Sequence, residues 1–137
     1  PAVAVTGRHH PLTRAAVERA VRTVVEGERF DGRVAVNFVG PTAMRRLNLA
    51  WKKRDRPTDV LAFSLPLPDG TTEGDVYVCR AVAVEEAKSR SLPLREELLR
   101  LVIHGVLHVA GHDHPETAAR TASPMWRRQE RYLRCLV

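Results

Sequence analysis

Between Pro11 and Glu28 the apolar residues Val17, Ala20, Val21, Val24 and Val25 recur at i, i+3, i+4, i+7 and i+8. That spacing draws one stripe down a helix. Ahead of it, Ala2 to Val5 is a short apolar run that reads as a first strand. After Gly32 the β-branched run VAVNFV, residues 34–39, reads as another. Gly40-Pro41 ends that run and opens a helix with Pro41 at its first position; Met44, Leu47 and Trp51 are expected to form its buried face. KKRDRPTD, residues 52–59, is a polar loop, and VLAFSL, residues 60–65, a strand. PLPDGTTEG, residues 66–74, is a turn-rich connection to the alternating strand DVYVC, residues 75–79. Ala81 to Arg90 reads as helix, and Leu94 to Ala110 is the strongest helix of all. From Leu98 to Ala110 its only formally charged side chain is Arg100. A helix that is apolar nearly all round belongs at the centre of a molecule. Ser123-Pro124 caps and starts a last helix with Met125, Gln129, Leu133 and Leu136 on one side. Strands and helices mix, so the expected class is α+β, with about four strands and about five helices.

Composition narrows this picture only slightly. The 137 residues suit one domain, residues 1–137, with one core. Aromatic residues are 5% of the chain, so that core is made mainly of Val, Leu and Ala. Cys79 and Cys135 lie far apart in sequence, and nothing supports a bridge between them; two thiols in a reducing compartment is the simpler reading. No apolar run approaches the ~20 residues of a membrane span, and no basic-then-apolar leader is visible. The expectation is a soluble, cytoplasmic protein with no membrane partner. The net charge of +6 comes nearly all from Arg. It suits a polyanionic partner such as RNA, although a GC-rich coding sequence would also favour Arg.

The chemistry is concentrated in HGVLHVAGHDH, residues 104–114. His104 and His108 are four residues apart on the central helix, so both rings leave the same face, ~6 Å apart along the axis. Gly111 can take the left-handed conformation that stops a helix, and the reversal can bring His114 back toward the first two rings. Three imidazole nitrogens with a fourth position open is the layout of a catalytic zinc site. Unliganded, several buried imidazoles would leave polar nitrogens to satisfy at ~1–3 kcal/mol each. Imidazole also suits nickel and other divalent ions. His112 points away if His114 points in, so it is expected behind the ligands, at the rim or facing solvent. Asp113 either accepts the free N–H of a ligand imidazole and fixes its tautomer, or serves the turn with its short polar side chain. The spacing matches the three-histidine zinc proteases, but their glutamate general base is replaced here by Gly105. That glycine counts against a peptidase.

HGVLHVAGHDH resembles the signature of the YbeY family of bacterial rRNA-maturation endoribonucleases. LNLAWKKRDRPTDVLAF, residues 47–63, GDVYVC, residues 74–79, and MWRRQERYLRCL, residues 125–136, resemble three further segments of that family in the same order. The resemblance implies a zincin-like fold whose central helix carries the metal ligands His104, His108 and His114. It also implies one Zn2+ and single-strand-specific hydrolysis of RNA. The expected setting is maturation of the small-subunit rRNA 3′ end and ribosome biogenesis, with the ribosome or a pre-ribosomal subunit as partner. Two positions depart from the family pattern. Lys52 stands where the family usually has Arg, which loses the bidentate fork, with Arg54 nearby as a substitute. His112 stands where the family usually has Tyr.

Arg45, Arg46, Lys52, Lys53, Arg54 and Arg56 crowd one helix and the loop after it, and Arg127, Arg128, Arg131 and Arg134 line the last helix. The loop is the better phosphate candidate, with Lys52 and Arg54 offsetting charge in the pentacoordinate transition state. Asp59, just before a strand, either orients a basic side chain or the reacting water, or caps the loop. The base is then a metal-activated water or the RNA's own 2′-hydroxyl. Two rival readings stay open. One is a three-histidine peptidase or amidase, for which Met125 echoes a Met-turn although core packing explains it better. The other is a non-catalytic ribosome-binding module with a structural zinc.

Overall fold

The computed structural model of the chain describes residues 2–113 and 123–137. Its elements run β1 (Val3–Thr6), α1 (Arg14–Gly27), β2 (Gly32–Val39), α2 (Pro41–Lys52), β3 (Val60–Pro66), β4 (Thr72–Cys79), α3 (Arg80–Ser89), α4 (Leu94–Val109) and α5 (Pro124–Leu136). The expected α+β class holds, with four strands and five helices among the described residues. The strands form one sheet in the order β1-β2-β4-β3. β1 pairs with β2 and β2 with β4 in parallel, while β3 runs antiparallel to β4.

Side-chain alternation gives the sheet two unequal faces. Val34, Val36 and Phe38 of β2 and Gly74, Val76 and Val78 of β4 turn to the face covered by α1 and α4. There they meet Val17, Val21 and Val24 of α1 and Leu99, Ile103 and Leu107 of α4, all essentially inaccessible to water. Each such side chain contributes ~1.5–3 kcal/mol by leaving water. The opposite face carries a small cluster, Met44, Leu61 and Cys79, with Leu47, Phe63 and Tyr77 packed against it. α4 is the central helix, as its composition requires.

Several boundaries differ from the sequence pattern. α1 starts at Arg14, not Pro11, because the Thr13 hydroxyl accepts a hydrogen bond from Ala16 N–H at 3.0 Å and caps the helix there. β4 starts at Thr72, inside the stretch read as a turn, because its backbone pairs with Gly32–Val34 on one side and Ser64–Pro66 on the other. Pro66 is tolerated because β3 is an edge strand.

Trp51 corrects the sequence reading outright: it is 66% exposed. The buried line of α2 runs through Met44 and Asn48 instead. Asn48 can face inward because its Nδ2 donates to the Arg56 carbonyl at 2.9 Å. Trp51, one turn further on, is rotated to the rim.

Candidate metal centre and its cleft

His104 and His108 sit on the last two turns of α4. Their Nε2 atoms approach to 3.2 Å, with ring centroids 4.7 Å apart. Two ligands of one tetrahedral zinc at 2.0–2.1 Å would stand about 3.3 Å apart, so the two rings are spaced as two ligands of one cation would be, a distance that an N–H···N bond between them also spans. The ring of His104 is oriented from behind. Its Nδ1 lies 2.6 Å from Gln129 Oε1. An amide oxygen only accepts, so Nδ1 carries the proton, and the lone pair of the neutral ring is left on Nε2. Gln129, 1% exposed on α5, is fixed in turn by Nε2–H donation to Glu130 Oε2 at 3.1 Å. Arg100 grips Glu130 with two bonds of 3.0 and 3.1 Å. Burial works to raise the Glu130 carboxyl, but Arg100 and Gln129 outweigh it and hold its pKa below the ordinary value.

Beyond His108 the helix ends as the sequence predicted. Gly111 has φ +103°, its N–H donates to the His108 carbonyl at 3.0 Å, and the His112 N–H reaches back to Leu107 O at 3.0 Å. This is the paired closure of a Schellman cap with glycine in its left-handed position. The third expected ligand, His114, lies outside the described residues. Among the described residues no group of three His, Cys, Asp or Glu converges as a metal site. Asp113 is exposed at the end of the turn.

His112 is half-buried, with Nε2–H donating to Glu28 Oε1 at 2.5 Å. Glu28 also accepts from Tyr132 Oη at 2.6 Å and Arg128 Nη1 at 3.0 Å. Burial would raise its carboxyl, but these three partners hold the pKa below the ordinary value. Sequence reading passed over Glu28. The one local signal was an acid just past a helix C-terminus, against the helix dipole.

Asp59, Glu97, Arg100, His104, Trp126 and Gln129 line a common cleft. Asp59 therefore stands on the histidine side, and its Oδ1 also accepts from Val60 N–H at 2.8 Å, so it caps the strand as well. Glu97 was missed too, although it is two turns before His104 on the same face. It is 3% exposed, and Arg90 Nη1 lies 3.8 Å from its Oε2. Burial pushes its carboxyl pKa up. Lys52 and Arg54 are exposed at the end of α2 and on the following loop, and neither lines the cleft. That loop is held by Arg45, which binds Asp55 with two bonds of 2.6 and 3.0 Å. Cys79 is buried, Cys135 exposed, and both are free thiols.

Gly105 explains the absent glutamate. A Cβ there would stand 2.4 Å from Val76 Cγ1, so this position faces the sheet and has no room for a side chain.

Residues 6–137 match the family described as Endoribonuclease YbeY. The chain is 38% identical over 117 residues to the Endoribonuclease YbeY of Thermotoga petrophila, covering 85% of this chain and 76% of that protein. It is 42% identical over 96 residues to that of Burkholderia ambifaria, covering 69% of this chain and 54% of the relative. The solution structure of TM1509 from Thermotoga maritima superposes with a TM-score of 0.66 at 31% identity, covering 98% of this chain and 88% of that one. Fold and relatives together mark an α+β hydrolase with paired histidines on its central helix. The chain belongs to the endoribonuclease YbeY family. Among the described residues no helix is long and apolar enough to cross a membrane.

Proposed function

We propose that residues 1–137 form one zinc-dependent endoribonuclease domain. It cuts single-stranded RNA in the cytoplasm, with small-subunit rRNA near its 3′ end, on a ribosome or pre-ribosomal particle, as the natural substrate. The observation that carries this reading is the convergence of the His104 and His108 Nε2 atoms to 3.2 Å, with the His104 tautomer fixed by Gln129, in a chain of this family. His104, His108 and His114 would hold the ion. A bound zinc supplies a Lewis acid and a water of lowered pKa. The chain's own residues do the rest. Gln129 keeps the His104 Nδ1 proton in place, and Arg100 and Glu130 keep Gln129 in place. Lys52 and Arg54 bind phosphate oxygens of the substrate, the lysine as a point charge and the arginine as a fork. Asp59, on the wall of the His104 cleft, orients the reacting water or the 2′-hydroxyl. Asp113 steadies the turn that leads to His114. With position 105 packed against Val76, no glutamate base stands beside the first histidine, which counts against the peptidase alternative.

The test is cleavage of a labelled single-stranded RNA and its duplex by pure zinc-loaded protein, with His108→Ala as control. The single strand is expected to be cut, the duplex spared, and cutting by the variant to fall at least about a hundred-fold. Equal cutting by both proteins sinks the reading.

A further inference from the structure

Trp51 is exposed where helix periodicity would bury it. The residue is 66% open to solvent, and Leu49, two positions earlier on α2, is 47% open. The ring is nonetheless held: it leans on Phe63 at 5.4 Å between centroids and 55° between planes, and Phe63 meets Tyr77 edge-on at 6.0 Å. One side is buttressed while the rest of the ring stays available. Its surroundings are cationic. Arg46, Lys52, Lys53, Arg54 and Arg56 are all exposed. The only acid between Pro41 and Thr58 is Asp55, and Arg45 already binds it with both forks. The backbone here is pinned: Lys53 takes φ 59°, Arg54 N–H returns to Asn48 O at 3.3 Å, and Asn48 holds the Arg56 carbonyl. The same loop ends at Asp59, on the wall of the His104 cleft. Even fully extended, the chain from Trp51 to Asp59 spans at most about 28 Å.

A rigid, open aromatic among cations fits a strand that offers bare bases and a phosphate backbone together. A duplex hides its base faces, and a protein surface would need acidic groups to match this charge. We propose that Trp51 is a stacking platform for an unpaired base of single-stranded RNA, setting the strand's path from the basic loop toward the histidine cleft. This rests on the endoribonuclease reading and adds to it the residue that reads single-strandedness.

The test compares wild type, Trp51→Ala, Trp51→Leu and Trp51→Phe as full-length zinc-loaded chains, whose unchanged melting confirms folding. Fluorescence anisotropy measures binding to a short single-stranded oligoribonucleotide, to its duplex and to an abasic strand of equal length. Trp51→Ala and Trp51→Leu should weaken single-strand binding between about five-fold and a hundred-fold. Trp51→Phe should stay within about three-fold of wild type, and duplex and abasic binding should not move. Unchanged single-strand affinity in Trp51→Ala overturns the proposal and leaves the nuclease reading standing, as does an equal loss on the abasic strand. A wild-type chain that binds no single-stranded RNA overturns both.

Discussion

At the scale of single residues, the site is governed by who holds whom. His104 is legible in the sequence because its partner His108 is four positions away, but Gln129 is not, because the bond between Gln129 and His104 spans 25 residues and two helices. Sequence periodicity assigned Gln129 to the inward face of the last helix, which is correct, without saying which buried atom it meets. Its consequence is testable. In Gln129→Met the side-chain volume is kept but the acceptor for the Nδ1 proton is gone, so His104 is free to exchange tautomers and turn. Zinc affinity, measured by competition with a chromophoric chelator, is expected to fall about ten- to a hundred-fold. Far-UV circular dichroism should stay unchanged. Unaltered affinity would mean that the 2.6 Å bond does not orient a ligand.

At the scale of elements, α4 reaches its place on the sheet through two reciprocal fits. Gly74 of β4 receives Val109 of α4, and Gly105 of α4 receives Val76 of β4. Added Cβ atoms would stand 2.3 and 2.4 Å from the facing methyl carbons. Gly105→Ala gains ~1 kcal/mol in helix propensity but forces this contact apart. Overpacking costs ~1–3 kcal/mol, so the net expectation is a loss of roughly 1 kcal/mol in urea denaturation. Val76→Ala should be less damaging on the Gly105→Ala background than alone, and strict additivity of the two would refute the fit. This pairing also marks what the sequence could and could not reveal. Val17 to Val25, residues 34–39 and Leu94 to Val109 declare their elements because a helical stripe or a β-branched run is a local signal. The left-handed Gly111 and the Ser123 cap were readable for the same reason. The strand order β1-β2-β4-β3, the early start of β4 and the seat of Trp51 depend on register between distant segments. A stripe through Met44 and Leu47 did not reveal that Asn48 would turn inward to bind Arg56 O and carry Trp51 to the rim.

At the scale of the whole molecule, one carboxylate ties together segments from opposite ends of the chain. Glu28, just past α1, accepts hydrogen bonds from His112 on the turn after α4 and from Arg128 and Tyr132 on α5. This makes stability acid-sensitive in a defined direction. The folded pKa of Glu28 lies below its ordinary value of 4.5. The unfolded chain therefore binds the proton first, and the stabilisation is fully present above the unfolded pKa and lost as pH falls through the folded one. Glu97 has the opposite sign: its raised folded pKa gives a contribution present at low pH and lost as pH rises through that value. The acid limb of the wild type is thus a partial cancellation, and only a difference isolates Glu28. Glu28→Gln keeps the shape but removes the charge. At pH 7 it is expected to unfold with about 1–2 kcal/mol less stability, and the gap should start to close as pH falls past 4.5 and vanish below the lower folded pKa of Glu28, where both proteins carry a neutral group. Glu97 is unchanged in both and drops out. Urea midpoints between pH 7 and pH 2.5 check this, and a gap that stays constant to the acid end would show that the three bonds to Glu28 do not depend on its charge.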